Sequence, residues 1–72
     1  MSTNTDFHMF AHNLKHMRKA HLLITQAELG KLVGVSAQTI SQYERGIREP
    51  DIETLIRLSR ALRTSIDKLV GA

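Results

Sequence analysis

The sequence predicts an all-α fold of five short helices in a single domain, and three observations predict it. Apolar residues recur at three- and four-residue spacing along most of the chain, and no stretch alternates as a strand would. Thr25, Ser36, Asp51 and Thr64-Ser65 each stand ahead of an apolar-periodic stretch, where helix N-caps are preferred. Gly34 and Gly46 follow two of those stretches, where helices end.

The elements follow in order. Residues 1–6 are polar and are expected to form a flexible tail, with the folded domain over 7–72. Phe7, Phe10, Leu14, Met17 and His21 share one helical face, so a first helix is expected near 7–21. Its opposite face carries His8, His12, Lys15, His16 and Lys19. Thr25-Gln26-Ala27-Glu28 has the form of a capping box, with Ile24 and Leu29 at the positions of a hydrophobic staple. That second helix should run from Gln26 to Val33, and Gly34 should end it in the left-handed conformation. Ser36 caps a third helix ending at Arg45, with Val35 and Ile40 as its staple. Arg48-Glu49-Pro50 is a loop, and Asp51 caps a fourth helix with Ile52, Leu55, Leu58, Ser59 and Leu62 as its inner stripe. A short last helix covers Ile66 to Val70.

Composition bounds the function. A chain of 72 residues buries only about 60% of its unfolded surface, so its stability is marginal. Cysteine is absent, which removes disulfides and thiolate metal sites as supports. The core must come from helix packing, helped by dimerisation. No apolar h-region follows the N-terminus and no run reaches the length of a membrane span, so the cytoplasm is the expected compartment. A net charge of +3 and a pI near 9.8 suit a polyanionic partner.

The stretch from Thr25 to Gly46 gives that partner a shape. The turn Gly34-Val35-Ser36 is too short for antiparallel helices, so the second and third helices must cross steeply, as in a helix-turn-helix at about 26–45. Gly30, costly inside a helix by about 1 kcal/mol relative to Ala, allows a close approach at the crossing. With Ile40 pointing inward, Ala37, Tyr43 and Glu44 lie within about 60° of it. Gln38, Gln42, Arg45 and, more laterally, Ser41 point outward. Gln can pair in a bidentate way with adenine, and Arg with guanine.

These residues carry a resemblance. Gln26, Ala27, Leu29, Gly30, Gly34, Val35, Ser36, Ile40 and Glu44-Arg45-Gly46, with Pro50, Leu55, Ala61-Leu62 and Ser65-Ile66-Asp67-Lys68-Leu69, resemble the lambdoid phage Cro and repressor domains of the XRE-type helix-turn-helix family. The resemblance covers roughly residues 10–70 and implies a five-helix, lambda-repressor-like DNA-binding domain whose third helix enters the major groove. Carried onto this sequence, it implies base contacts from Ala37, Gln38, Ser41 and Gln42. It implies phosphate contacts from Thr25, Gln26, Thr39, Arg45 and Arg48. Gln38 and Gln42 both suggest A·T-containing half-sites. The expected protein is a bacterial or phage-encoded transcriptional repressor, associated with the nucleoid when bound, that acts as a homodimer on a pseudo-palindromic operator. The dimer contact is expected around Arg63 to Val70, or through the first helix. Alternatives on the same fold are a DNA-binding antitoxin and a protein-interaction module docking a helix near Ile56, Leu69 and Val70.

Two departures from the family stand out. The link His21-Leu22-Leu23-Ile24 is one residue longer than the usual glycine-containing turn, which leaves the placement of Arg18 and Lys19 open. Arg63 stands where a Gly often ends the fourth helix, and a left-handed Arg there would be strained.

Glu44, facing inward, needs a partner, and Arg18 is the candidate for a structural ion pair such as the family has. His8, His12 and His16 recur every four residues but face solvent without a carboxylate or thiol in sequence, so no metal site is expected. Tyr43 reads as packing. No Ser, His and Asp are spaced for nucleophilic catalysis and so small a chain leaves little room for a cleft, so an enzyme is not expected. Neither a cofactor nor a small-molecule ligand is indicated.

Overall fold

The structure, a computed structural model, describes residues 3–71, with side chains from Met9 to Gly71. The expectations for Met1 and Ser2 in the tail, and for the side chains of Phe7 and His8, lie outside the described residues. The chain forms α1 (Thr3–His16), a π-helical segment (Met17–Leu22), α2 (Gln26–Val33), α3 (Ala37–Glu44), α4 (Ile52–Ala61) and α5 (Ile66–Val70). Among the described residues there is no strand. Helix α1 starts four residues ahead of the expected position, because no Gly or Pro before Phe7 stops it.

Each of the four later helices begins on its expected cap. Thr25 Oγ1 accepts from the Glu28 N–H at 3.0 Å while Glu28 Oε1 accepts from the Thr25 N–H at 2.8 Å, completing the capping box. Ser36, Asp51 and Ser65 accept from the N–H groups of Thr39, Thr54 and Lys68. Each such cap contributes roughly 1 kcal/mol by satisfying an orphan donor. Gly34 closes α2 at φ +80°.

The core joins one face of every helix. Phe10 and Leu14 meet Leu29, Val33, Ile40, Tyr43, Leu55, Leu58, Leu62 and Leu69 in one buried cluster. Phe10 and Tyr43 pack edge to face with ring centres 6.2 Å apart. Helix α3 packs on α1 and α2, whereas α5 packs on α1 and α4. The Asn13 side-chain amide also ties α1 to α5, donating to the carbonyls of Lys68 and Leu69 at 3.2 Å each. Gly30 sits against the turn, not against α3 itself: a Cβ there would lie 2.5 Å from the Val35 carbonyl oxygen.

Two expected core positions leave the core, and one expected surface position enters it. His21 is exposed, because π winding from Met17 adds a residue to the turn and rotates it off the inner stripe. Leu22 packs against the core in its place. Ile52 is 70% exposed, since it is the first residue of α4 and precedes the turn that faces the core. Leu69 is fully buried, so the apolar surface expected near Ile56, Leu69 and Val70 loses Leu69, and Ile56 and Val70 are only half-exposed.

The π segment also absorbs the extra residue of the first link. Leu23 ends it in the left-handed conformation at φ +58°, and its N–H donates to the Arg18 carbonyl. Ile24 then packs on the core immediately ahead of the α2 cap.

Candidate nucleic-acid interface

The inward face of α3 is pinned at three places. Ile40 is fully buried and Tyr43 nearly so. Burial pushes the Tyr43 hydroxyl above its ordinary range, leaving it un-ionised. Glu44, one residue further, is the third anchor. Its carboxylate takes Arg18 Nε at 2.6 Å on one oxygen and Arg18 Nη2 at 3.0 Å on the other. The hydrogen bond Arg18 donates to Glu44 outweighs burial and holds its guanidinium above its ordinary value. Arg18 Nη1 also donates to the Ile24 carbonyl at 2.9 Å, so the arginine joins the π segment, the link to α2 and α3.

The remaining expected side chains fall into place around that anchor. Gln38 and Arg45 are exposed, and Ala37, Thr39, Ser41 and Gln42 are half-buried. Gln42 Oε1 accepts from Arg48 Nη1 at 3.4 Å, which joins an expected base reader to an expected phosphate contact. The Thr39 hydroxyl lies 3.0 Å from the Ser36 hydroxyl at the α3 cap. Thr25 is exposed at the start of α2. The capping box occupies the Thr25 and Glu28 N–H groups, so the first-turn N–H groups of Gln26 and Ala27 are those left for an anion.

Gln26 holds a contact that sequence reasoning missed. Its Nε2 donates to Glu44 Oε1 at 3.0 Å, on the oxygen that also accepts from Arg18. The Gln26 side chain is therefore committed to the anchor of α3, leaving its backbone to face outward. No local pattern could have shown a bond between residues 18 positions apart.

On the far side of α1, the His12 and His16 rings lie parallel at 6.3 Å, and His16 meets His21 edge-on at 5.6 Å. Among the described residues no group of three or more His, Cys, Asp or Glu side chains could hold a metal ion. No described helix is long and apolar enough to cross a membrane.

A family profile described as Helix-turn-helix matches residues 14–69. The repressor protein C2 of Salmonella phage P22 is 53% identical over 53 residues, which are 74% of this chain and 24% of that protein. An uncharacterized HTH-type transcriptional regulator of Bacillus subtilis, YqaE, is 42% identical over 62 residues, 86% of this chain and 53% of that protein. The crystal structure of the P22 c2 repressor in complex with a synthetic operator superposes with a TM-score of 0.81 at 48% identity. That match covers 85% of this chain and 91% of the other. The chain thus spans about a quarter to a half of the length of these curated relatives.

Proposed function

The chain belongs to this helix-turn-helix family, and we propose that it is a sequence-specific DNA-binding domain that represses transcription from a pseudo-palindromic operator. The observation that carries the reading is the division of α3 into two faces. Ile40, Tyr43 and Glu44 fix its inner side, while Gln38, Ser41 and Gln42, all able to hydrogen-bond base edges, lie away from it. The likeness to a repressor solved on its operator supports the same reading. It acts in the cytoplasm and on the nucleoid when bound.

In this reading α3 enters the major groove, with Ala37, Gln38, Ser41 and Gln42 toward the bases. Thr39, Arg45 and Arg48 take flanking phosphates. Thr25 and Gln26 present the N-terminus of α2 to another phosphate, where the helix dipole favours negative charge. Four base-facing side chains at about 1–3 kcal/mol each discriminate weakly against a genome of competing sites. A symmetric homodimer doubles the contacts, on half-sites about 34 Å apart.

Selection of bound sequences from random duplex DNA tests the proposal. A palindromic consensus with half-sites one helical turn apart is the expected result. Absence of any enriched sequence would sink it.

A further inference from the structure

We propose that the open concavity between α4 and α5 is a binding site for a phosphate group, separate from the base-reading face. It measures about 430 Å³ and is lined by Ser59, Arg60, Arg63, Thr64, Ser65 and Lys68. That volume lies within the range of small-ligand sites. Three of the six lining residues are cationic and none is acidic. Among the described residues, Arg60, Arg63 and Lys68 take part in no ion pair; the pairs there are Arg18–Glu44 and Arg57–Glu53. Three cations around one depression repel one another until an anion joins them.

Arg63 supplies the second observation. It holds the left-handed conformation at φ +56°, which strains any side chain with a Cβ and which Gly would adopt freely. Its own side chain is exposed and makes no hydrogen bond or ion pair among the described residues. That conformation closes α4, with the Thr64 N–H donating to the Ser59 carbonyl at 3.0 Å and the Arg63 N–H to the Arg60 carbonyl at 3.2 Å. The closure requires a left-handed residue but not an arginine; Gly would make it without the strain, so helix closure gives the guanidinium at the rim of the depression no task.

The donor set selects the chemistry. Ser59 Oγ already donates to the Ile56 carbonyl at 2.8 Å. Ser65 Oγ accepts from the Lys68 N–H at 3.0 Å, which leaves its O–H to donate. With the Thr64 hydroxyl and the three cations, at least five donor groups line the site. A carboxylate has two oxygens to meet them, whereas a phosphate has three or four and pairs with guanidinium in a bidentate way. The site shares no lining residue with α3 or with the turn before it, and α5 packs on α1 and α4, away from α2. A free phosphate-bearing molecule is thus the favoured source, and the backbone of a duplex the other.

Pyrophosphate, titrated into the protein at constant ionic strength, tests the site. Amide resonances of Thr64 to Lys68 are expected to shift saturably, and the melting temperature to rise. Arg63→Gly is expected to melt a few degrees higher without the anion and to lose the anion-dependent rise. In a second arm, the salt dependence of duplex binding is compared for the parent and Arg63→Gly. An unchanged slope together with saturable shifts identifies the free anion. A slope smaller by about 1 assigns the phosphate to DNA. Shifts that follow ionic strength alone with an unchanged slope, or a full pyrophosphate response in Arg63→Gly, overturn the proposal.

Discussion

Arg18 grips Glu44 through two parallel hydrogen bonds, Nε to Oε2 at 2.6 Å and Nη2 to Oε1 at 3.0 Å, across 26 residues of sequence. The Arg18 and Glu44 side chains are 10% and 3% exposed, so the pair is taken out of water and its geometry has to offset the desolvation. The bidentate fork, the Ile24 carbonyl and the Gln26 amide together meet that requirement. The result is one buried polar knot that orients the helix proposed to read DNA.

Removing one member of the knot should therefore be severe. Glu44→Ala leaves Arg18 buried without a counter-charge, at a cost of about 3–5 kcal/mol. A domain of this size has roughly 4–11 kcal/mol in total, so a large fall in melting temperature or outright unfolding is expected. The double variant Arg18→Met/Glu44→Leu should recover much of the loss, because no orphan charge remains. An unchanged melting temperature for Glu44→Ala would contradict a buried pair.

Leu23 carries the opposite potential. It is left-handed at φ +58° and 79% exposed, so its side chain gives little in return for the strain. That conformation costs a non-glycine residue about 1–2 kcal/mol, of which glycine's greater chain entropy offsets roughly 0.5–1. Leu23→Gly should stabilise by up to about 1.5 kcal/mol, at roughly 4–8 °C per kcal/mol for a domain this size. Thermal unfolding measures it, and a lower melting temperature would mean that Leu23 packs against something in solution.

Asp51 makes the acid limb of stability predictable. The side-chain and backbone hydrogen bonds of Thr54 hold its carboxyl below the usual carboxylate range. A carboxylate with a depressed folded-state value stabilises above its unfolded value, near pH 4, and loses that contribution as pH falls through the folded one. The melting-temperature gap between the parent and Asp51→Ala should be constant above about pH 5 and close below about pH 4. A gap that persists undiminished at strongly acidic pH would show that the cap does not depend on the ionised form.

What could be read in the sequence divides by the range of the interactions. The caps at Thr25, Ser36, Asp51 and Ser65 involve residues three apart, so local spacing revealed them. The α2 boundaries and the strain at Arg63 were legible for the same reason. The π segment was not, since the spacing of Phe7, Phe10, Leu14, Met17 and His21 fits ordinary α winding throughout. A single added residue was visible in the link, but its absorption as a wider turn depends on Arg18 meeting Glu44 across the fold. Ile52 was misplaced because helical periodicity says which residues share a face, not where the core ends. At the site, residue types located the outward face of α3. The Gln26 bond to Glu44 and the Arg48 bond to Gln42 arise from tertiary approach and local loop geometry that no pattern encodes.

The proposed division between base readers and phosphate contacts predicts two different failures. Gln38 is exposed on α3 and bonds to no other described side chain, so Gln38→Ala should weaken discrimination at one base pair by about 1–3 kcal/mol, or 5–150-fold, with other positions unchanged. Arg48→Gln should lower affinity on all duplexes alike and reduce the salt slope by about 1, as one phosphate contact is lost. Its hydrogen bond to Gln42 adds a signature of its own. Arg48 engages Gln42 Oε1 and so leaves the amide N–H groups free to donate to a base. Without Arg48 the Gln42 amide can turn over, and the preference at its base pair should relax as well. Binding measured over single-base operator variants at several salt concentrations separates these outcomes. An Arg48→Gln protein that loses affinity uniformly, with preference intact at every position, would leave Arg48 as a phosphate contact and remove its role in orienting Gln42.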